Sequence, residues 1–255
     1  MRFASLGSGS RGNALIVECG STRLMLDCGF GPRETEARLQ RLGLAPADLA
    51  GIVVTHEHSD HIAGAFKFAL RHNLRVWMTH GTCAAAPYGR GQMPTIEIID
   101  SHQVFAVGAV EVRPFPVPHD AREPTQFVFS DGCYRLGVLT DVGCSTPYIE
   151  QMLSGCDALV LECNHDLSLL QGGNYPPQLK KRIAGRYGHL DNESAAKLLA
   201  ALDVSRLKHI VAAHLSEQNN TVDLARTALA SVLNCEREWI AVASQDEGFA
   251  WRALS

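Results

Sequence analysis

Apolar and polar positions along this chain alternate in two rhythms. Short runs with a period near two, "MRFASLG", "NALIVECG" and "RLMLDCG", read as three strands separated by the turn residues of "SGSRG" and "GST". "RETEARLQRLGL" has the spacing of an amphipathic helix, followed by a β-branched strand that ends at Thr55. "HIAGAFKFALRHN" predicts a helix and "LRVWMTH" a strand; "VEVRPFPVPH", "TQFVFSD" and "YRLGVLTD" make the middle of the chain strand-rich. In the last third, helix and strand alternate through "STPYIEQMLSG", "ALVLECN", "NESAAKLLAALD", "HIVAAHL", "TVDLARTALASVL" and "EWIAVAS". Strands in runs with helices between them predict a layered α/β or α+β fold. No Pro/Gly/Ser-rich linker or low-complexity tract divides the chain, so residues 1–255 read as one domain. The longest irregular stretch spans residues 164–192, and long ordered loops are often functional.

Composition narrows this only a little. With 46% hydrophobic and 20% charged residues over 255 positions, the chain is an ordinary soluble one, long enough for a sizeable core. No apolar run approaches the roughly 18 residues of a membrane span, so no membrane partner is expected. "MRFASLGSGSRGN" breaks into Gly and Ser too early for a secretory signal, and a cytoplasmic location is expected. Cys19, Cys28, Cys83, Cys133, Cys144, Cys156, Cys163 and Cys235 are scattered and form no C-x-x-C pair, which reads as reduced, packed thiols. The net charge of −4 argues against a protein coated in positive potential, but leaves room for a local basic strip.

The chemistry concentrates where strands end. In "GIVVTHEHSDHIAG" an apolar strand runs into His56, Glu57, His58, Asp60 and His61. Crowded without a cation, these imidazoles would repel one another as potential like charges; imidazole and carboxylate together suit zinc, iron or manganese. His119 in "FPVPHD", Asp141 in "LGVLTDVG", His214 in "HIVAAHL" and Asp27 in "RLMLDCG" also follow strands. His72, His80, His102 and His209 lack such company and read as structural.

H-x-H-x-D-H at 56–61, with Asp27 before it and His119, Asp141 and His214 after it in order, resembles the metallo-β-lactamase superfamily. That resemblance implies an αββα sandwich with two divalent ions (Zn, Mn or Fe) at one edge between the sheets. One ion would take His56, His58 and His119; the other Asp60, His61 and His214; Asp141 would bridge them. Asp27 would orient the cluster by hydrogen bonds. Two ions about 3.5–4 Å apart could share a hydroxide that attacks an electrophile, with Asp60 and Asp27 supporting catalysis.

Three features point to a phosphodiester as that electrophile. "GSGSRGN", with Ser8, Ser10 and Asn13, is rich in backbone N–H groups that could hold an anion, although a plain turn would look the same. "LKKRIAGRYGHLDN" carries Lys180, Lys181, Arg182 and Arg186, of which Lys181 and Arg182 are the candidate phosphate contacts. His189 lies between Asp141 and His214, where phosphodiesterases of this superfamily carry an extra His that contacts phosphate or protonates the leaving oxygen; Asp191 stands where a hydroxyl residue is common there. Zinc β-lactamases of the common type carry Cys at the position of Asp141, and "VPVPHDAREP" does not resemble the His-rich third motif of glyoxalase-II-like thioesterases. The whole set, above all "NYPPQLKKRI" with "GHL" and the following Asn, is similar to the YycJ/WalJ-like group, which implies a DNA exonuclease. Two other functions stay open at this point: hydrolysis of a small cyclic phosphodiester, and a non-catalytic metal-binding sensor or scaffold. His165 reads equally as a partner of a metal ligand or as a strand-end cap.

Overall fold

The computed structural model describes residues 1–87 and 92–254. Its early strands are β1 (Arg2–Gly7), β2 (Ala14–Cys19), β3 (Thr22–Leu26), β4 (Gly51–Val53), β5 (Arg75–Thr79) and β6 (Ile96–Ile99). They are followed by β7 (Phe105–Val107), β8 (Val110–Pro116), β9 (Thr125–Ser130), β10 (Arg135–Leu139), β11 (Ala158–Glu162), β12 (His209–Ala213), β13 (Ala241–Val242) and β14 (Phe249–Ala253). Among the described residues they form two seven-stranded sheets, ordered β14-β1-β2-β3-β4-β5-β6 and β13-β12-β11-β10-β9-β8-β7. Each sheet is antiparallel on one side and parallel on the other: β3 to β6 run parallel, as do β10 to β13.

Three apolar cores show why this arrangement holds. Strands in the middle of each sheet are buried on both faces, so neighbouring residues serve different layers. Leu15 and Val17 of β2 face the other sheet and meet Phe127, Phe129, Val138 and Val160, while Ile16 between them faces outward. On that outer side, Ile16, Met25 and Ile52 pack against Leu39 of α1 (Pro32–Arg41), Ile62 of α2 (Ser59–Ile62) and Phe68 of α3 (Ala65–His72). Next to β5 lies α4 (His80–Ala85). The second sheet sends Leu159, Leu161 and Ile210 to its own helical layer, which contains α5 (Pro147–Leu153), α8 (Asn192–Ala201) and α9 (Val222–Leu233). Between them in the chain come α6 (Leu167–Gly172) and α7 (Pro177–Ile183). Helices, sheet, sheet, helices: this is the αββα sandwich of the metallo-β-lactamase fold. Among the described residues no helix is long and apolar enough to cross a membrane, and Cys19, Cys28, Cys133, Cys144, Cys156, Cys163 and Cys235 form no disulfide.

Several expectations need correction. The helix expected over 61–73 is two helices, broken at Gly64, where a Cβ would stand 1.8 Å from the Phe30 carbonyl. The strand expected to reach Thr55 leaves its ladder at Val53, although the Val54 N–H still bonds Trp77 O. "EWIAVAS" yields a short turn at Arg237–Trp239 and only two strand residues. The stretch 164–192 is not irregular: Asp166 caps α6 by accepting the Leu169 N–H, and Pro177 starts α7 with its fixed φ.

Candidate metal centre

The parallel strands β3, β4, β10, β11 and β12 end at one edge of the sandwich, and each is followed by, or ends in, a polar residue turned into that edge: Asp27, His56, Asp141, Glu162 and His214. Asp27, Asp141 and His214 have φ of 61°, 53° and 54°, the left-handed region that residues with a side chain avoid. Such conformations cost roughly 1–3 kcal/mol each and persist where the surroundings over-determine them. The remaining two described non-Gly residues of this kind, Asn73 and Asn234, only terminate helices.

His56, His58 and His119 bring one nitrogen each to a common point. The His119 Nδ1–H donates to the Gly188 carbonyl at 2.9 Å, which leaves its Nε2 with a lone pair, 3.2 Å from His58 Nδ1. His56 Nδ1 lies 2.9 Å from the Thr55 hydroxyl, while its buried Nε2 has no hydrogen-bond partner. A second group joins Asp60, His61, Asp141 and His214, and a third overlaps it, with Glu162 and His189 beside the same Asp141 and His214. His61 Nδ1–H donates to Asp27 at 2.8 Å and His214 Nδ1–H to Glu162 at 3.0 Å, so both turn Nε2 toward Asp60 Oδ2, 3.3 Å from each. Asp141 lies between the groups, with Oδ2 3.1 Å from His61 Nε2 and Oδ1 3.9 Å from His119 Nε2. Oδ2 is buried and makes no hydrogen bond.

These donors fit cations. An unpaired buried polar atom costs roughly 1–3 kcal/mol, and His56 Nε2 and Asp141 Oδ2 both point into the cluster where an ion would pair them. Their protonation agrees. Burial, reinforced by His61 alongside, holds His56 well below the usual imidazole range, hence neutral. Burial opposes charge on His214, but Asp141, Asp60 and Glu162 outweigh it and push the imidazole up to about 10. Burial also opposes charge on Asp141, yet His214 and His61 hold it well below the carboxylate range. A divalent ion would displace the protons that His61 and His214 otherwise carry.

Glu162 was not singled out from the sequence and is the most heavily used carboxylate here. Fully buried, its Oε1 accepts from His189 Nδ1 at 2.9 Å as well as from His214, and its Oε2 accepts the Val142 and Leu190 N–H groups. Burial works against its charge, but His189 and His214 bring it down to about 2. The available signal was its place at the end of β11, matching Asp27 and Asp141. Thr55 was also missed: its N–H and hydroxyl both bond Asp27, and its carbonyl accepts the Thr125 N–H of the other sheet.

The donors open onto a cleft of about 310 Å³ lined by Ser10, His58, Ser59, Asp60, Asp141, Arg182, His189 and His214. Of the expected substrate contacts, Ser10 and Arg182 line it; the others do not. Ser8 is buried and its hydroxyl accepts the His214 N–H. Asn13 bonds Gly9 and reaches Asp60 and His61, bracing them. Most N–H groups of "GSGSRGN" are spent inside the protein, on Ser244, Asn13, Gln245, Gly9 and Asp60, so this loop is a brace for the centre and not an anion cradle. Lys181 is exposed away from the cleft lining, and Lys180 caps α6 through the Gln171 and Gly173 carbonyls. His165 touches none of the donor groups; Asn164 beside it bonds the His214 carbonyl. His72 and His209 bond Glu36 and the Ala253 carbonyl, outside all three donor groups.

The profile of the β-lactamase superfamily domain matches residues 22–210. The chain is 38% identical to exodeoxyribonuclease YycJ of Bacillus anthracis over 91% of its own length and 89% of that protein. It is 30% identical to exodeoxyribonuclease WalJ of Streptococcus pneumoniae over 91% and 88%. Among solved structures, the metallo-β-lactamase fold protein YhfI from Bacillus subtilis superimposes with a TM-score of 0.72, at 16% identity and 98% coverage of both chains.

Proposed function

This chain belongs to the metallo-β-lactamase superfamily of metal-dependent hydrolases, and we propose that it is a two-metal phosphodiesterase acting on DNA as an exonuclease in the cytoplasm. The observation that carries the reading is the pair of donor groups, His56, His58 and His119 beside Asp60, His61, Asp141 and His214, with Asp141 Oδ1 3.9 Å from His119 Nε2, at a cleft that His189 and Arg182 also line. The chain's 38% identity to a protein named exodeoxyribonuclease, over nearly the whole of both, supports DNA as the polymer.

His56, His58 and His119 would hold one ion, and Asp60, His61 and His214 the other, with Asp141 common to both. Divalent ions bound there supply an acidified water and neutralise charge on the phosphoryl oxygens. The chain's own residues do the rest. Asp27 and Glu162 fix the tautomers of His61 and His214, so that Nε2 of each carries the lone pair. Arg182 offers its Nη groups to the phosphate while Asp120 holds its Nε. Glu162 anchors His189 through Nδ1, leaving the far side of the ring for the phosphate or the leaving oxygen. The centre is open at Ser10 and Arg182, both exposed, as entry of a chain end requires.

His189→Ala tests the division of labour. It is expected to keep the metal content of the wild type and to lower kcat by about 10²–10⁴ on both DNA and bis(p-nitrophenyl) phosphate. Unchanged turnover, or loss of metal in step with activity, would overturn the assignment. Cleavage of the small diester with DNA left intact would favour a small cyclic phosphodiester instead.

A further inference from the structure

Two residues before His189 of the cleft stands an aromatic side chain for which neither the fold nor the metal centre has a use. Tyr187 is 57% exposed, the most exposed large apolar side chain among the described residues. Its ring takes part in no ring contact, cation–π pair or hydrogen bond there. An exposed tyrosine on a mobile loop would carry no meaning, but this one is held from four directions. Its carbonyl accepts the Asp120 N–H at 2.9 Å, and the next carbonyl, of Gly188, accepts the Nδ1–H of His119. The N–H groups of Gly188 and His189 bond Gly185 and Ile183 at the end of α7. Glycines permit this fit: a Cβ on Gly143 would stand 2.2 Å from the Arg186 carbonyl, and one on Gly188 2.1 Å from that of Ile183. The fold therefore fixes the backbone of Tyr187 to the loop of a candidate metal ligand on one side and to His189 on the other, and leaves the ring in solvent.

Asp120 ties the same wall together. Its N–H holds Tyr187, and its carboxylate holds Arg182 Nε, with Oδ1 3.5 Å from His119 Nε2 and 4.0 Å from His58 Nε2. The Arg182 Nη groups make no hydrogen bond among the described residues, and Arg182 lines the cleft. Arg186, exposed, precedes the tyrosine. A guanidinium on the cleft and an exposed aromatic ring, both keyed to Asp120 beside the centre, are the two kinds of group that a nucleotide calls for: one for a phosphate, and one for a base that stacks.

We propose that Tyr187 is the stacking platform for the base of an unpaired terminal nucleotide of DNA, whose phosphate Arg182 holds. This rests on the nuclease reading above and deepens it: the strand enters with its last base out of the duplex stack. Stacking on an aromatic face tolerates any base, which suits an enzyme that digests without regard to sequence. A tyrosine with a pre-ordered backbone loses little entropy when the base arrives.

The test uses the metal-loaded protein and single-stranded oligonucleotides whose digested end carries either thymine or an abasic residue. In the wild type, the abasic end is expected to raise KM roughly tenfold, the scale of one base–aromatic stack. Tyr187→Ala is expected to raise KM by the same factor on the thymine end and to add nothing on the abasic end; Tyr187→Phe is expected to match the wild type. If Tyr187→Ala behaves as the wild type on both ends, or loses equally on both, the platform is overturned while the nuclease stands. If the wild type digests neither oligonucleotide, the nuclease reading fails and the platform with it. Circular-dichroism melting of each variant separates loss of fold from loss of stacking.

Discussion

Asp27 never reaches the cleft, yet it holds three donors: the Thr55 N–H, the Thr55 hydroxyl and His61 Nδ1. Asp27→Asn keeps the shape but replaces one acceptor oxygen by an NH2 that has only donors around it. Such outer partners are worth 10–100-fold in metal affinity. Titration of the variant against a competing chelator is expected to show a loss of that size, and equal affinity would contradict the role assigned to Asp27. At this scale the sequence was most legible where a ligand-type residue closes an apolar run, as at Asp27, His119, Asp141 and His214. Glu162 obeys the same rule, but a buried glutamate reads like any surface acid until the fold lays His189 and His214 over it. That Ser8 and Asn13 turn inward, unlike Ser10 of the same loop, is not legible in the sequence for a related reason. Their N–H groups look available in a Gly/Ser loop, and the partners that satisfy them, such as Ser244 and Gln245, lie at the far end of the chain.

Elements matter here chiefly as loops pressed against loops. The segments 7–13, 27–31 and 56–64 are knitted by Asn13 N–H to Asp60 O, Gly29 N–H to Asn13 O and Cys28 N–H to His61 O. Gly29 is one of the tightest points: a Cβ there would stand 1.9 Å from the Asp60 carbonyl, which cannot yield without moving Asp60 itself. Gly29→Ala is therefore expected to cost about 1–3 kcal/mol in urea unfolding, as overpacking does, and to lower metal content with it. A variant with wild-type stability and full metal would show that these loops have slack. The strands and long helices were legible because their periodicity is strong; α6 and α7 were not, since their Gly and Pro punctuation reads as loop until Asp166 and Pro177 are seen as helix starts.

Across the whole molecule, two parallel half-sheets deliver their ends to one edge, and the price of that layout is a concentration of buried acid there. Asp27, Asp60, Asp141 and Glu162 lie within one cluster, offset by protonated imidazoles at best. Ions that bind only the native state stabilise by about 4 kcal/mol at a thousandfold excess over Kd, which in a chain of this size moves Tm by roughly 8 °C or more. Removal of metal with a strong chelator is expected to lower the thermal midpoint by that much, reversibly on refilling; an unchanged midpoint would mean that the cluster is content without cations. The thiols offer an independent reading of the same packing. Burial pushes Cys28 up to about 12 and Cys19 and Cys156 up to about 11, so a thiol reagent at neutral pH is expected to find exposed Cys133 and to miss these three until the protein unfolds. Early labelling of all three would contradict the two-sheet core.

The most direct measurement is digestion of end-labelled single- and double-stranded DNA by metal-stripped protein, refilled separately with manganese and with zinc, beside Asp60→Ala treated in the same way. The account predicts stepwise shortening from one end by the refilled wild type, and none by the stripped protein or the variant. DNA left intact by protein shown to hold both ions would contradict it.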